Sequence, residues 1–335
     1  MKLVRLNVAG FRGLPDRAFD LTDHSNGTPQ DVVLVTGDGG AGKTSFLDAI
    51  LAAKEDVGAY GPRRPPASFV RPGAQTARVE VRWWLSPEER RRAGIAEAES
   101  TTVSIFGDGT PPLSTHPEGL RALLAEYSRE PERGKVEYFH AERALPPGSG
   151  TRPASGDSSP RMEARTRLAL SLEKYRPLRG YLIEAILNNG LALADTVRER
   201  GIALSRPEPD AQTRIREVLR PLLRDKAFDG VDRPESGYRV RFRCRDGGTV
   251  DLDELSASER QAVLFGVTFL RSGVHESVVL IDTPELHLHP SRHAELFAAL
   301  CSLGRDNQII AATTSAELLA TVRSDQVIDL SAPRA

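Results

Sequence analysis

The chain has 335 residues with 45 lysines and arginines against 46 aspartates and glutamates, a formal charge of −1. That length allows one large α/β domain with an insertion, or two modest domains, and the balanced charge excludes a global field that would draw the protein to nucleic acid or a membrane surface. The two cysteines, Cys244 and Cys301, lie far apart and in no metal-ligand spacing, which excludes a disulfide framework, fits a reducing cytoplasm and reads both as small buried hydrophobes.

The opening MKLVRLNVAGFRGL alternates apolar and polar residues, as a strand does over 3–8, and no stretch reaches the roughly 20 apolar residues of a spanning helix, so no membrane partner is expected. Residues 31–36 (DVVLVT) form a short β-branched run that ends in glycines, a buried strand feeding a loop. From Lys43, Phe46, Leu47, Ile50 and Leu51 recur on one side of a helix. Strands are expected over 77–85, 101–106 and 135–139, and helices over 87–93 and 118–127. Residues 146–160 (PPGSGTRPASGDSSP) are too poor in apolar side chains to order themselves and mark the clearest internal boundary. Residues 161–228 then change to long amphipathic runs with almost no strand character, a helical insertion. A hairpin is expected over 238–244 and 249–252, because Asp246-Gly247 tolerates the positive φ of a tight turn. A helix follows from about Ser258, and 277–281 and 308–313 read as further buried strands.

Gly37-Asp38-Gly39-Gly40-Ala41-Gly42-Lys43-Thr44 matches G-x-x-x-x-G-K-[ST] in full, between an expected strand and an expected helix. Glycines let backbone N–H groups turn inward on phosphates, and the helix N-terminus behind Thr44 and Ser45 adds partial positive charge. Lys43 would reach the β and γ phosphates of ATP, and the Thr44 hydroxyl would coordinate Mg²⁺. Residues 277–282 then read as the Walker B strand, apolar residues that deliver the Asp282 carboxylate beside Thr44 and the metal.

With these motifs in place the chain resembles a family. MKLVRLNVAGFRGL resembles the opening of RecF-like and SMC-like ABC ATPase heads, and residues 68–83 (SFVRPGAQTARVEVRW) resemble the stretch after their first helix. LSASERQ at 255–261 resembles the ABC signature. IDTPELHLHP at 281–290 and QIIAATTSAELL at 308–319 resemble the extended Walker B and switch-histidine strand of overcoming-lysogenization-defect and AAA-21 type ATPases. The resemblance implies an α/β ABC-ATPase head, a P-loop NTPase, with a mainly helical insertion: residues 1–150 and 231–335 form the head, and 151–230 a flexible loop and the insertion. It also implies that two heads sandwich two ATP molecules, with Ser256 and Ser258 of one signature meeting the nucleotide held by the other P-loop. Read by itself, LSASERQ is a helix-capping box opened by Ser256 or Ser258; its place between the hairpin and the Walker B strand is what favours the signature. Arg12 would contact phosphate or support the loop, and Arg143 in YFHAER would touch nucleotide or the interface.

Departures from the family pattern bear on catalysis. The glutamate that usually follows the Walker B aspartate is Thr283, which cannot act as a base. Glu285 matches the second acid of the related D-E-P-E pattern and is the candidate substitute. Ser258 replaces a signature glycine, and Thr314 the switch histidine. Together with Lys43 and Asp282, Glu285 forms the expected catalytic set of a slow ATPase. By analogy, such stand-alone ATPases resemble components of anti-phage defence systems, in which an oligomer controls a separate effector, a nuclease or toxin; the alternative is a RecF-like ATPase that clamps DNA. His287 and His289 are expected to serve structure or the interface rather than a metal, since two histidines two apart on a loop rarely converge on one ion. The arginines at 90–92, at 161, 165 and 167, and at 63 and 64 sit among acids such as Glu88, Glu89 and Glu163 and read as solvated faces rather than nucleic-acid contacts.

Overall fold

The computed structural model describes residues 1–107, 110–125, 134–148, 167–168, 172–200, 210–235 and 237–331. The flexible segment expected at 146–160 and the arginines at 161 and 165 lie almost wholly outside these residues. In chain order the elements are β1 (Lys2–Ala9), β2 (Arg17–Asp20), β3 (Val32–Thr36), α1 (Lys43–Val57), β4 (Thr76–Trp84), α2 (Pro87–Ala93), β5 (Glu99–Gly107), β6 (Thr110–Thr115), α3 (Glu118–Ala125) and β7 (Val136–Phe139). They continue with α4 (Pro177–Arg200), α5 (Ala211–Leu219), β8 (Lys226–Asp232), β9 (Arg239–Cys244), β10 (Thr249–Asp251), α6 (Ala257–Ser272), β11 (Val278–Asp282), α7 (His293–Cys301), β12 (Gln308–Ala312), α8 (Ala316–Leu319) and β13 (Val327–Asp329).

The chain divides into two compact units, one of residues 1–141, 163–170 and 273–335 and one of 142–162 and 171–272. These limits differ from a division at 150 and 230: the hairpin β9–β10 and helix α6 belong with α4 and α5 rather than with the strands of the first unit.

The first unit holds two sheets. Strands β13-β3-β12-β11-β7 are all parallel, and every residue of β11 and β12 is buried, as expected of strands covered on both faces. Strands β2-β1-β4-β5-β6 are antiparallel. In β4 the side chains of Ala77, Val79, Val81 and Trp83 go inward at every second position, so adjacent Trp83 and Trp84 face opposite ways. The inward Trp83 indole donates to the Thr102 hydroxyl at 3.1 Å. Helix α1 buries Phe46, Leu47, Ile50 and Leu51 in this core, each burial stabilising by about 1.5–3 kcal/mol.

The same helix buries a charge. Lys54 is fully buried, its ammonium over the Tyr60 ring and 2.7 Å from Glu55 Oε1. Burial holds its pKa down at about 7, with Arg167 adding repulsion against the pull of Glu55. The unfolded chain therefore binds more protons than the folded one between about pH 7 and the ordinary lysine value of 10.5, and stability rises with pH through that window. Lys54→Met should raise the thermal midpoint at pH 7, with the gap over wild type closing by pH 10. A gap independent of pH would mean that Lys54 titrates normally.

The second unit packs α4, α5 and α6 with the antiparallel sheet β10-β9-β8. Gly266 sits where α5 approaches α6: a Cβ there would lie 2.7 Å from Leu219 Cδ2. Strand β8 corrects the expectation of helix through Phe228. Phe228 and Gly230 are buried on alternate positions and pair with β9, and the Phe228 ring meets Phe242 edge-on at 5.8 Å. The pairing that makes this a strand is non-local and absent from the sequence around it.

Three other expectations change. Cys301 is exposed and Cys244 half-buried, not both buried. Glu89 is buried and paired with Lys135 at 2.7 Å, and Arg167 is buried and paired with Glu137 at 3.0 Å, so neither belongs to a solvated face. Arg143 is 1% exposed: its Nε donates to Gln261 Oε1 at 2.7 Å and its guanidinium lies over Phe265. Such an arginine steadies α6.

Candidate nucleotide-binding site

The loop from Gly37 to Gly42 leaves β3 and enters α1 through positive φ angles at Gly37 (143°), Gly40 (82°) and Gly42 (97°). Gly40 and Gly42 lie where a side chain would be strained whatever the space. At Gly42 a Cβ would also stand 3.3 Å from Leu14 Cδ2, so the segment after β1 packs directly on the loop. Ala41 N–H donates back to Asp38 O at 3.1 Å, Gly39 has open space around it, and Asp38 N–H donates to Ser331 Oγ at 2.7 Å. Ser45 lies half-buried on the first turn of α1.

Lys43 Nζ donates to Gly37 O at 2.8 Å and to Asp38 O at 2.9 Å, folding the ammonium over the loop. Thr44 Oγ1 donates to Asp282 Oδ2 at 2.8 Å. Hydroxyl and carboxylate thus converge from α1 and the end of β11, the hard oxygen donors that Mg²⁺ takes alongside waters and phosphate. With glycine amides free to turn inward and a lysine at the loop's mouth, these residues fit a nucleoside triphosphate with its metal.

Arg12, itself at φ 39°, pairs with Asp48 on α1 and donates to Ser68 O at 3.0 Å. Arg64 reaches the other oxygen of Asp48 at 2.7 Å. Asp48 is 2% exposed, so two guanidinium groups satisfy a carboxylate buried beneath the loop, a role no local pattern announces.

Beyond Asp282 the chain turns sharply. Thr283 has φ 53°, uncommon for a β-branched residue and worth about 1–3 kcal/mol of strain. Its N–H donates to Ala312 O at 2.8 Å, and its carbonyl accepts from Leu286 N–H at 3.2 Å. This bend brings Glu285 back to the end of β12, where Oε1 accepts from Thr313 Oγ1 at 2.7 Å and from Thr314 N–H at 3.2 Å. Glu285 Oε2 is buried with no hydrogen-bond partner among the described residues. His287 is exposed at φ 66°, and His289 Nδ1 caps the turn at 290–292 by accepting from Ser291 N–H.

Lys43, Thr44, Asp282 and Glu285 all belong to the first unit. Ser256 and Ser258 belong to the second. There the Ser256 and Glu259 side chains and backbones cap α6 reciprocally, and Ser256 Oγ lies 3.1 Å from Ser258 Oγ. Burial pushes the Glu259 carboxyl up, but hydrogen bonds from Lys226 and Ser256 outweigh it and hold the group below its ordinary range. The capping box and a signature role use the same residues. Sequence reasoning missed Asp48, Ser331 and Thr313; only Thr313, next to the switch position, carried any signal.

Residues 168–320 match the family model described as "AAA domain, putative AbiEii toxin, Type IV TA system". Among solved structures, the chain is similar to the SmcHead bound to the C-winged helix domain of ScpA, at 14% identity and TM-score 0.53, over 98% of this chain and 96% of that one. It is also similar to a Smc head domain with an extended coiled coil, bound to the C-terminal domain of ScpA, derived from Pyrococcus furiosus, at 14% identity and TM-score 0.52, over 98% and 93%. No curated protein matches. No helix among the described residues is long and apolar enough to cross a membrane. In its fold the chain is similar to these Smc head domains along nearly its whole length.

Proposed function

We propose that the protein binds ATP with Mg²⁺ in the Gly37–Thr44 loop, hydrolyses it slowly, and closes with a second copy around the nucleotide as a switch for a separate effector protein. The observation that carries this reading is the contact of Thr44 Oγ1 with Asp282 Oδ2 at 2.8 Å, at the mouth of a loop already closed over Lys43. Lys43 binds the phosphates, and Thr44 and Asp282 hold the metal, which when bound neutralises charge on the phosphates. In the closed pair, Ser256 and Ser258 face the nucleotide of the other copy, with the N-terminus of α6 behind them. Hydrolysis is slow because Thr283 and Thr314 stand where a base and a histidine sensor are usual. The matched family's description as a putative toxin of a type IV toxin–antitoxin system is consistent with a toxin-linked role; the separate effector, a nuclease or toxin, and the place in anti-phage defence rest on the analogy alone.

Native mass measurement tests the proposal. ATP with Mg²⁺ should convert wild type to a dimer or higher oligomer, and the effector should co-purify regardless of nuclease treatment. A mass unchanged by ATP would refute the gated switch. Co-purification abolished by nuclease, with salt-sensitive DNA binding that appears only with ATP, would favour a RecF-like DNA clamp in its place.

A further inference from the structure

At the entrance of the phosphate loop, the chain leaving β3 meets the chain leaving β13. β13 pairs in parallel with β3, Val327 with Leu34, Ile328 with Val35 and Asp329 with Thr36, and Leu330 N–H extends the pairing by donating to Thr36 O at 2.9 Å. Ser331 is thereby delivered beside Gly37, the first residue of the loop. An Asx turn fixes its backbone there, Asp329 Oδ1 accepting from Ser331 N–H at 2.8 Å. Its side chain touches the loop: Oγ accepts from Asp38 N–H at 2.7 Å, and a Cβ on Gly37 would stand 3.0 Å from that oxygen and 3.3 Å from Leu330 Cβ. All these residues belong to the first unit.

The direction of the Ser331 hydrogen bond bears on Lys43. The peptide joining Gly37 to Asp38 is trans, so its carbonyl and its N–H point opposite ways. With the N–H held by Ser331, the carbonyl is turned to the other side, where the Lys43 ammonium donates to Gly37 O at 2.8 Å. An amide whose N–H is bonded also offers a stronger carbonyl acceptor. Gly37 has φ 143°, a region open to glycine and rarely adopted by other residues, so this peptide plane can turn over once its N–H is released. A turned plane would take away the carbonyl that stations the ammonium.

We propose that Ser331 is a positioning residue of the nucleotide site: its hydroxyl locks the Gly37–Asp38 peptide and so sets Lys43 and the loop backbone in the arrangement that receives a triphosphate. The inference rests on reading the loop as an ATP site. Ser331 acts through the loop, on bound substrate and transition state alike, so its contribution falls on KM and leaves kcat alone. A serine that only fastened β13 to the sheet would add stability and leave ATP affinity untouched.

The test uses Ser331→Ala, Ser331→Thr and the double variant Ser331→Ala with Lys43→Ala, each in the full chain. Amide hydrogen exchange at Asp38 without nucleotide reads the contact itself, and calorimetry with ATP and Mg²⁺ reads its consequence. In Ser331→Ala, exchange at Asp38 should quicken by about tenfold, and ATP affinity should fall about three- to tenfold, the range of one neutral hydrogen bond. The single-turnover rate at saturating ATP should stay within about twofold of wild type. Ser331→Thr, which keeps the hydroxyl, should restore both exchange and affinity. In the Lys43→Ala background, Ser331→Ala should cost less than about 1.5-fold in affinity, because the serine works through the lysine's carbonyl; independent residues would give the same loss in both backgrounds.

Faster exchange at Asp38 with ATP affinity within about 1.5-fold of wild type overturns the positioning role and leaves the ATP site standing. A loss that Ser331→Thr fails to restore, or that is as large without Lys43, assigns Ser331 to general stability and overturns it as well. Exchange at Asp38 unchanged in Ser331→Ala would mean that the hydrogen bond is not made in solution, and the lock falls with it. A wild type without ATP affinity removes the ATP reading itself, whatever Asp38 exchange shows, and this inference with it.

Discussion

Replacing Glu137 with alanine is expected to destabilise the first unit by about 3–5 kcal/mol, the loss typical when one member of a buried ion pair is removed. Glu137 lies on β7 with no exposed surface, and its Oε2 is 3.0 Å from Arg167 Nε, itself 2% exposed. Without the carboxylate, a guanidinium would stay buried near a second cation, since Arg167 already repels the Lys54 ammonium. Urea unfolding at pH 7 should show a lower midpoint with an unchanged slope. Because buried ion pairs contribute little beyond apolar side chains of similar volume, the double variant Glu137→Leu with Arg167→Met should recover most of the loss. A single-variant loss under about 1 kcal/mol would mean that Arg167 swings out to water once its partner is gone.

That pair also shows where sequence reasoning stops. RMEARTRLAL looks like a charged, solvated helix, whereas Arg167 is buried against Glu137 on β7, 30 positions earlier. The P-loop was legible because its chemistry is local: glycines, a lysine and a threonine in one window, between an apolar run and a helical repeat. β3, β11 and β12 were legible for the same reason, since strands buried on both faces read as continuous apolar runs. β8 was not. Its residues KAFDGVD carry one phenylalanine and two aspartates, and they become a strand through register with β9. The short β2 and the proline-containing β6 escaped for the same reason, being pairings to neighbours rather than patterns of their own.

The site followed a similar division. Lys43, Thr44 and Asp282 were visible as motif positions, and the contact of Thr44 with Asp282 spans 238 residues of sequence. Thr283 and Thr314 were visible as departures from the family pattern. What the sequence could not express is that the bend at Thr283 returns Glu285 to Thr313.

Replacing Lys43 with alanine should leave the folded protein intact while weakening ATP binding by about 30- to 700-fold. Each hydrogen bond from an ammonium to a phosphate contributes about 1.5–3 kcal/mol, but in the free protein Lys43 already donates to Gly37 O and Asp38 O. Those contacts have to be given up, so the net loss is about 2–4 kcal/mol rather than the sum of two full bonds. Alanine suits the first turn of α1 and removes no buried contact of the core, so unfolding without nucleotide should shift by no more than about 0.5 kcal/mol. Calorimetry with ATP and Mg²⁺ reads the affinity directly. Lys43→Arg should fall between wild type and alanine, because it keeps the charge but its planar fork fits poorly inside a loop shaped around a compact ammonium. Affinity within about threefold of wild type in Lys43→Ala would place the phosphates away from this loop, since no arrangement of the Gly37–Thr44 backbone can hold a triphosphate at that strength without the one cation it encloses.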